Sequence, residues 1–344
     1  MLKIDNLKIS LNSKPIILPE IGINHNGSLE IAFKIVDAAK RAGAKIIKHQ
    51  THIPFDEMSE EAKKIKPGNS KKNIYKIIEQ SALDEEKEYK LLKYVESKKM
   101  IFISTPFSKL AVDRLVKFKV PAFKIGSGEM SNFPLIDYIC KFKKPLLLST
   151  GMHSLKEVTK TYNFLKKRKI KFALLHTTNL YPSKDHHLRL NSITEMKKKF
   201  YDIPIGISDH TSDLLSSIIG VSLGAKIIEK HFIHDKNKIF GPDIKASIDE
   251  KQLKELINVI DRTCDQLHGS KTRLKEEQIT RNFAFASVVS SKEIRKGDRF
   301  SKENLWVKRP GTGYFNSNQL LKLYGKISKK NIKANMQIKK SDVF

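Results

Sequence analysis

Short apolar runs recur along the chain, each closed by polar residues and followed by a segment with helical spacing of its apolar positions. The runs are 16–22 (IILPEIG), 45–51, 101–106, 122–128, 145–151, 172–178, 203–210 and 226–232. After the first comes LEIAFKIVDAAKRAG, whose apolar residues repeat every three or four positions and whose Gly43 marks a helix stop. Further helices are expected over 83–98, 109–118, 155–168, 191–199, 211–223 and 250–267. Unbroken apolar strands alternating with amphipathic helices predict a parallel sheet covered on its faces. Eight such units in about 250 residues match a (β/α)8 barrel. An open doubly wound sheet is the competing reading, but GSGEM (126–130) lacks the spacing of a dinucleotide-binding turn.

The polar residues closing the runs sharpen the choice. They are Glu20, Lys48, Gln50, Thr105, Lys124, Ser127, Ser149, His176, Asn179, Ser208, His210, Glu229 and His231. In a barrel the carboxyl ends of all strands converge on one mouth, where active sites of this fold lie. The pattern divides the chain into a barrel domain over 1–267, a polar linker over 268–282 and a small β-rich domain over 283–344. Residues 1–15 read as a hairpin that closes the barrel bottom.

Composition narrows the class. The chain has 344 residues, 40% of them hydrophobic, which suits one large domain plus a small one. The two cysteines, Cys140 and Cys264, form no metal-binding spacing and fit a reducing compartment. No apolar run of about 18 residues suggests a membrane span, and no signal-peptide core opens the chain, so a cytoplasmic protein is expected. The net charge of +28 raises the alternative of a nucleic-acid binder. Against it, the positive charge is mostly lysine, spread along helix edges such as KKNIYK, KKRKIK and KKK, with arginine scarce. Solvated lysine faces and an anionic small substrate account for the charge; no nucleic-acid or membrane partner is expected.

Several strand-end residues carry chemistry. His210 and His231 close successive strands, which suits an open divalent-metal site, although each could be a hydrogen-bonded polar residue. Glu20 and Glu129 are candidate acid–base groups, or partners of the many lysines. Lys48, Lys124, Thr105, Ser127, Ser149 and Ser208 offer the charge and hydroxyl donors that a phosphate and a carboxylate require. Either lysine could instead form a Schiff base if desolvated.

The assembled motifs resemble the N-acetylneuraminate (sialic acid) synthase family. They are EIGINHNGS (20–28), IIKHQTH (46–52), FISTPFS (102–108), AFKIGSGE (122–129), LSTGMHS (148–154) and LHTTNLYP (175–182). GISDHTSD (206–213), EKHF (229–232), FGPD (240–243), FAFASVV (283–289) and NLWVKRPG (304–311) continue the series to the C-terminal region. The resemblance implies a TIM barrel followed by an antifreeze-like domain, in a homodimer where that domain covers the partner's barrel mouth. It implies that phosphoenolpyruvate condenses with an open-chain N-acetylated amino sugar. It further implies that His210 and His231 bind manganese, with magnesium or cobalt as alternatives.

The same resemblance places Lys124, Ser127, Thr105, Asn179 and Ser208 around the phosphate, and Lys48, Asn69 and Ser149 near the carboxylate. Gln50, Tyr181 and Asp243 match sugar contacts, and Arg309 matches an arginine sent into the other subunit's site. Glu20 is the first choice for handling a proton or positioning water, Glu129 the second. A neuraminate product is favoured by the KHQTH segment. GEMSNFP (128–134), GPDIKASI (241–248) and HDKNKI (234–239) depart from that branch, so a diacetamido trideoxy sugar leading to legionaminic or pseudaminic acid is the alternative.

Overall fold

Two strands, Leu2–Ile4 (β1) and Leu7–Ile9 (β2), open the chain as an antiparallel hairpin in the computed structural model, which describes residues 1–67 and 72–344. Then follow Ile16–Glu20 (β3), Leu29–Ala42 (α1), Ile46–Thr51 (β4), Pro54–Glu57 (α2), Ile74–Ser81 (α3) and Glu85–Ser97 (α4). Next come Ile101–Pro106 (β5), Lys109–Lys117 (α5), Phe123–Ile125 (β6), Phe133–Cys140 (α6), Leu146–Ser149 (β7) and Leu155–Lys167 (α7). The first unit ends with Phe172–Thr177 (β8), Asn191–Lys199 (α8), Ile205–Asp209 (β9), Leu215–Ser222 (α9), Ile227–His231 (β10) and Glu250–Leu267 (α10). The parallel strands β3 to β10 pair in chain order, and β10 pairs with β3, so the sheet closes into a barrel. This is the TIM-barrel architecture.

Local chemistry sets the helix ends. Ser28 accepts a hydrogen bond from Ile31 N at the start of α1, and Gly43 ends it at φ 101°, a left-handed conformation glycine adopts without strain. A reciprocal capping box between Ser154 and Glu157 opens α7. Apolar faces of the helices, such as Ile35, Val36 and Ala39 of α1, pack on the outward side chains of the strands. Inside the barrel, Leu2, Ile4 and Ile9 of the hairpin join Leu18, Ile46, Ile103, Leu147 and Ile227 in a separate apolar cluster. The hairpin therefore plugs the end of the barrel opposite the strand carboxyl ends.

Two expectations need correction. The polar residues closing several strands lie beyond the sheet: β6 stops at Ile125, and Ser127–Glu129 form a 3-10 turn. Helix α6 was not anticipated, because Pro134 interrupts its apolar pattern. The proline falls in the first turn, where its missing N–H costs nothing, and Asn132 caps the helix. KKNIYK reads as a solvated helix edge, and α3 starts there: Asn73 caps it, Lys72 and Lys76 are exposed, and Ile77 and Ile78, just beyond the segment, are buried.

Residues Gly269–Phe344 form the second compact unit. A helix, Gln278–Ala284 (α11), occupies part of the segment read as a linker. Ser287–Ser290 (β11) pairs antiparallel with Leu305–Lys308 (β12), and a single turn, Leu320–Leu323 (α12), follows. Val288, Ile294, Phe300, Leu305, Leu323 and Ile338 make its own core.

Candidate active site

At the carboxyl ends of the barrel strands lies a cavity of about 710 Å³. It is lined by Lys48, Gln50, Thr105, Lys124, Ser127, Ser149, Asn179, Tyr181, Ser208, His210, His231 and Asp243, together with Glu229. Strand alternation explains the selection: Lys48 and Gln50 on β4, and Glu229 and His231 on β10, are two residues apart and face inward together.

The cavity floor is a network of buried opposite charges. Lys124 Nζ donates to Ser149 Oγ at 2.7 Å and to the Ile125 carbonyl at 3.1 Å, and lies 3.6 Å from Glu229 Oε2. Lys48 Nζ is ion-paired with Glu20, donates to Thr105 Oγ1 at 3.3 Å and lies 3.8 Å from Glu229 Oε1. Ser208 donates to Glu229 Oε1 at 2.9 Å, whereas Glu229 Oε2 makes no hydrogen bond. Burial pushes the Lys48 ammonium down to about 7, with Glu229 pulling the other way, and burial lowers Lys124 as well. Burial opposes the charge of Glu229, but Lys124 and Lys48 more than offset it and hold the carboxyl below its ordinary range. Burial raises Asp243 to about 7, Lys48 acting against it.

Two glycines permit this packing. A Cβ on Gly22 would collide with Gln50 and Glu20, and one on Gly151 would collide with Asn179 Oδ1 and Ser127 Oγ. Gly151 N donates to Ser127 Oγ at 3.1 Å, so the LSTG turn holds a cavity-lining hydroxyl in place.

His210 and His231 stand side by side, ring centroids 5.3 Å apart, with Tyr181 stacked on His210 at 4.2 Å. His210 Nδ1 donates to the Thr178 carbonyl at 2.8 Å, which leaves Nε2 as a lone-pair donor. His231 Nδ1 is buried without a hydrogen bond, 3.8 Å from Asp243 Oδ2. Burial drives His210 down to about 4 and His231 well below its ordinary value, so both rings are neutral near pH 7, as metal ligation requires. No group of three or more His, Cys, Asp or Glu side chains converges as a ready-made cage among the described residues. Two neutral imidazoles beside unbonded carboxylate and imidazole atoms fit a divalent cation that keeps positions open for water and substrate.

Not every expected residue meets the cavity. Glu20 is fully buried below its wall, bound to Lys48 and accepting from Gln50 Nε2 at 3.3 Å and from Gly22 N, which makes it a support for those side chains. Glu129 accepts from Asn132 Nδ2 at 2.5 Å and so steadies the cap of α6. Arg309 is exposed in the second unit, just beyond β12. Asn69 lies outside the described residues. Glu229, placed by the sequence among the strand-end residues of the barrel mouth but given no role there, shares one strand face with His231, two residues on, and lines the cavity. The reading of the sequence overlooked Ile74, Ile77, Ile78 and Phe107, which form an apolar part of the cavity wall.

Residues 35–272 match the model of the NeuB family. The chain belongs to that family. Residues 285–343 match the SAF domain. The N,N'-diacetyllegionaminic acid synthase of Campylobacter jejuni is 35% identical, covering 95% of this chain and 99% of its own length. The human N-acetylneuraminate-9-phosphate synthase is 31% identical over 85% of this chain and 82% of its own. The N-acetylneuraminic acid (sialic acid) synthetase of Leptospira borgpetersenii, solved as a crystal structure, superposes with a TM-score of 0.74 at 28% identity, covering 81% of this chain and 94% of that one. These relatives are named as sugar-acid synthases, and this chain is an enzyme of the NeuB family. No helix among the described residues is long and apolar enough to cross a membrane.

Proposed function

We propose that this NeuB-family enzyme condenses phosphoenolpyruvate with the open-chain form of N-acetylmannosamine and water, giving N-acetylneuraminate and phosphate. The observation that carries the proposal is the convergence, in one cavity, of two buried lysines with hydroxyl partners and two neutral imidazoles. Lys124, with Ser127 and Ser208 nearby, suits the phosphate, and Lys48 with Ser149 suits the carboxylate. A divalent cation on His210 and His231, manganese or alternatively magnesium or cobalt, would supply Lewis-acid polarisation of the sugar aldehyde oxygen.

The residues of the chain do the rest. The lysines hold phosphoenolpyruvate so that its C3 faces the aldehyde carbon, and the new carbon–carbon bond forms there. Positive character developing at C2 is met by water, for which the unbonded Oε2 of Glu229 is the hydrogen-bond acceptor. One proton of that water ends on the former aldehyde oxygen, which becomes a hydroxyl. The bond between C2 and the bridging oxygen then breaks, its electron pair leaving with the phosphate. The proton of the C2 hydroxyl passes to the phosphate as C2 becomes the ketone carbon, and Lys124 stabilises the departing group. Neither lysine needs to form a Schiff base. The resemblance adds a homodimer in which Arg309 of one protomer serves its partner.

A specific observation favours a second sugar. Ile74, Ile77 and Ile78 of α3 with Phe107 make an apolar wall, which would accept the methyl group of a 2,4-diacetamido-2,4,6-trideoxy sugar better than the hydroxymethyl of N-acetylmannosamine. For either sugar, removing divalent cations with a strong chelator should abolish turnover and manganese should restore it, while His210→Ala should show neither. Full activity in metal-free His210→Ala protein would refute the proposal.

A further inference from the structure

Behind the two histidines, on the helix-facing side of the same strands, lies a second ion pair that the reaction does not touch. Asp209 and Lys230 are neighbours in the β9–β10 ladder, and both side chains are shut off from solvent. Lys230 Nζ lies 3.0 Å from Asp209 Oδ2 and donates to the Thr211 carbonyl at 2.7 Å and to Thr211 Oγ1 at 2.9 Å. Asp209 Oδ2 also accepts from Ser216 and Ser217, each at 2.6 Å. Asp209 Oδ1 accepts from Thr211 N and Thr211 Oγ1, each at 2.8 Å.

The surrounding layer between sheet and helices is apolar, with Ile207, Ile228, Phe232 and Val221 in the same cluster. Burying an ion pair there strips both ions of hydration, and well-packed hydrophobic residues often hold a fold as well or better. What hydrophobic residues cannot provide is a directional tie. His210 sits between Asp209 and Thr211, both anchored in the network, and His231 directly follows Lys230. The bonds from Lys230 to Thr211 fasten the end of β10 to the turn after β9. The separation and facing of the two imidazoles are therefore tied to this network through one peptide unit on each side.

We propose that Asp209 and Lys230 are positioning residues that set the geometry of the His210–His231 pair for its cation. The inference rests on the reading of those histidines as cation ligands. Partners behind the direct ligands of a metal typically matter about 10- to 100-fold in affinity.

The test uses the full chain stripped of metal, with manganese affinity read by electron paramagnetic resonance, thermal melting alongside, and the ring nitrogens of 15N-labelled histidine read by NMR. Asp209→Asn, Lys230→Met and the double variant D209N/K230M should each bind manganese about 10-fold or more weakly. The double variant, which leaves no unpaired buried charge, should regain melting temperature relative to either single variant without regaining affinity. Glu88→Gln removes another carboxylate of the sheet–helix layer, bound to Arg114 at 2.9 Å, and should melt earlier yet bind manganese as the unaltered protein does. A folded double variant with unaltered manganese affinity would overturn the proposal and leave the pair a stability element. Failure of the unaltered protein itself to bind manganese would instead remove the cation reading. In that event the ring nitrogens still decide: a His210 that keeps its Nδ1–H bond to Thr178 in the double variant would show that the pair positions nothing.

Discussion

Lys48 and Asp243 line one cavity and titrate in the same range, for the same cause. Burial destabilises the charged form of each, lowering the lysine to about 7 and raising the aspartate to about 7. As pH rises through that range the lysine loses its positive charge and the aspartate gains a negative one, so both changes disfavour an anionic substrate. The value of kcat/KM for phosphoenolpyruvate, which reports the free enzyme, should therefore fall as pH rises through about 7. Asp243→Asn should make the fall shallower, and Lys48→Met should leave kcat/KM low throughout. A profile flat from pH 6 to 9 in the unaltered enzyme would contradict this assignment. At the same scale Gly151→Ala should push Asn179 and Ser127 aside and depress kcat/KM for phosphoenolpyruvate. A full-activity Gly151→Ala enzyme would mean that neither side chain meets that substrate.

Among the elements, the β1–β2 hairpin and α3 do different work. The hairpin fills the barrel end remote from the cavity, where Ile4 is fully buried. Ile4→Ala should lower stability by about 2–5 kcal/mol in a denaturant titration, with kcat unchanged in the folded protein. A loss below about 0.5 kcal/mol, the scale of ordinary surface substitutions, would show that the plug is dispensable. Helix α3 presents its isoleucines to the cavity, so Ile77→Thr should penalise a methyl-bearing diacetamido sugar more than N-acetylmannosamine. Equal effects on both would remove α3 from sugar selection. These elements also show what a sequence can and cannot display. The barrel was legible because each strand is an apolar run ending in polar residues, a pattern set by burial on both faces. Helix α6 was hidden by Pro134, and the inward face of α3 by the lysines that precede it. Lys48, Lys124 and the two histidines were legible from their strand-end positions. The roles of Glu20, Glu129 and Glu229 were not, because the spacing of carboxylates along the chain does not say which one an adjacent lysine or amide has already engaged.

Across the whole molecule, the net charge of +28 must serve an enzyme whose proposed substrate is a small multiple anion. A field of one sign raises the encounter rate of an opposite charge, and salt screens it, the Debye length shrinking from about 30 Å at 0.01 M to about 8 Å at 0.15 M. Raising salt over that range should lower kcat/KM for phosphoenolpyruvate severalfold with little change in kcat. Salt-independent kcat/KM would confine the lysines to a solvating role. The condensation itself is read from its products by mass spectrometry. The full chain would be incubated with manganese and phosphoenolpyruvate carrying 18O in the bridge between C2 and phosphorus, and offered each acetamido sugar in turn. A nine-carbon sugar acid is expected from at least one of them, with the 18O recovered in inorganic phosphate because the C2–O bond breaks. Label retained in the sugar acid, or no condensation product with either sugar, would contradict this chemistry.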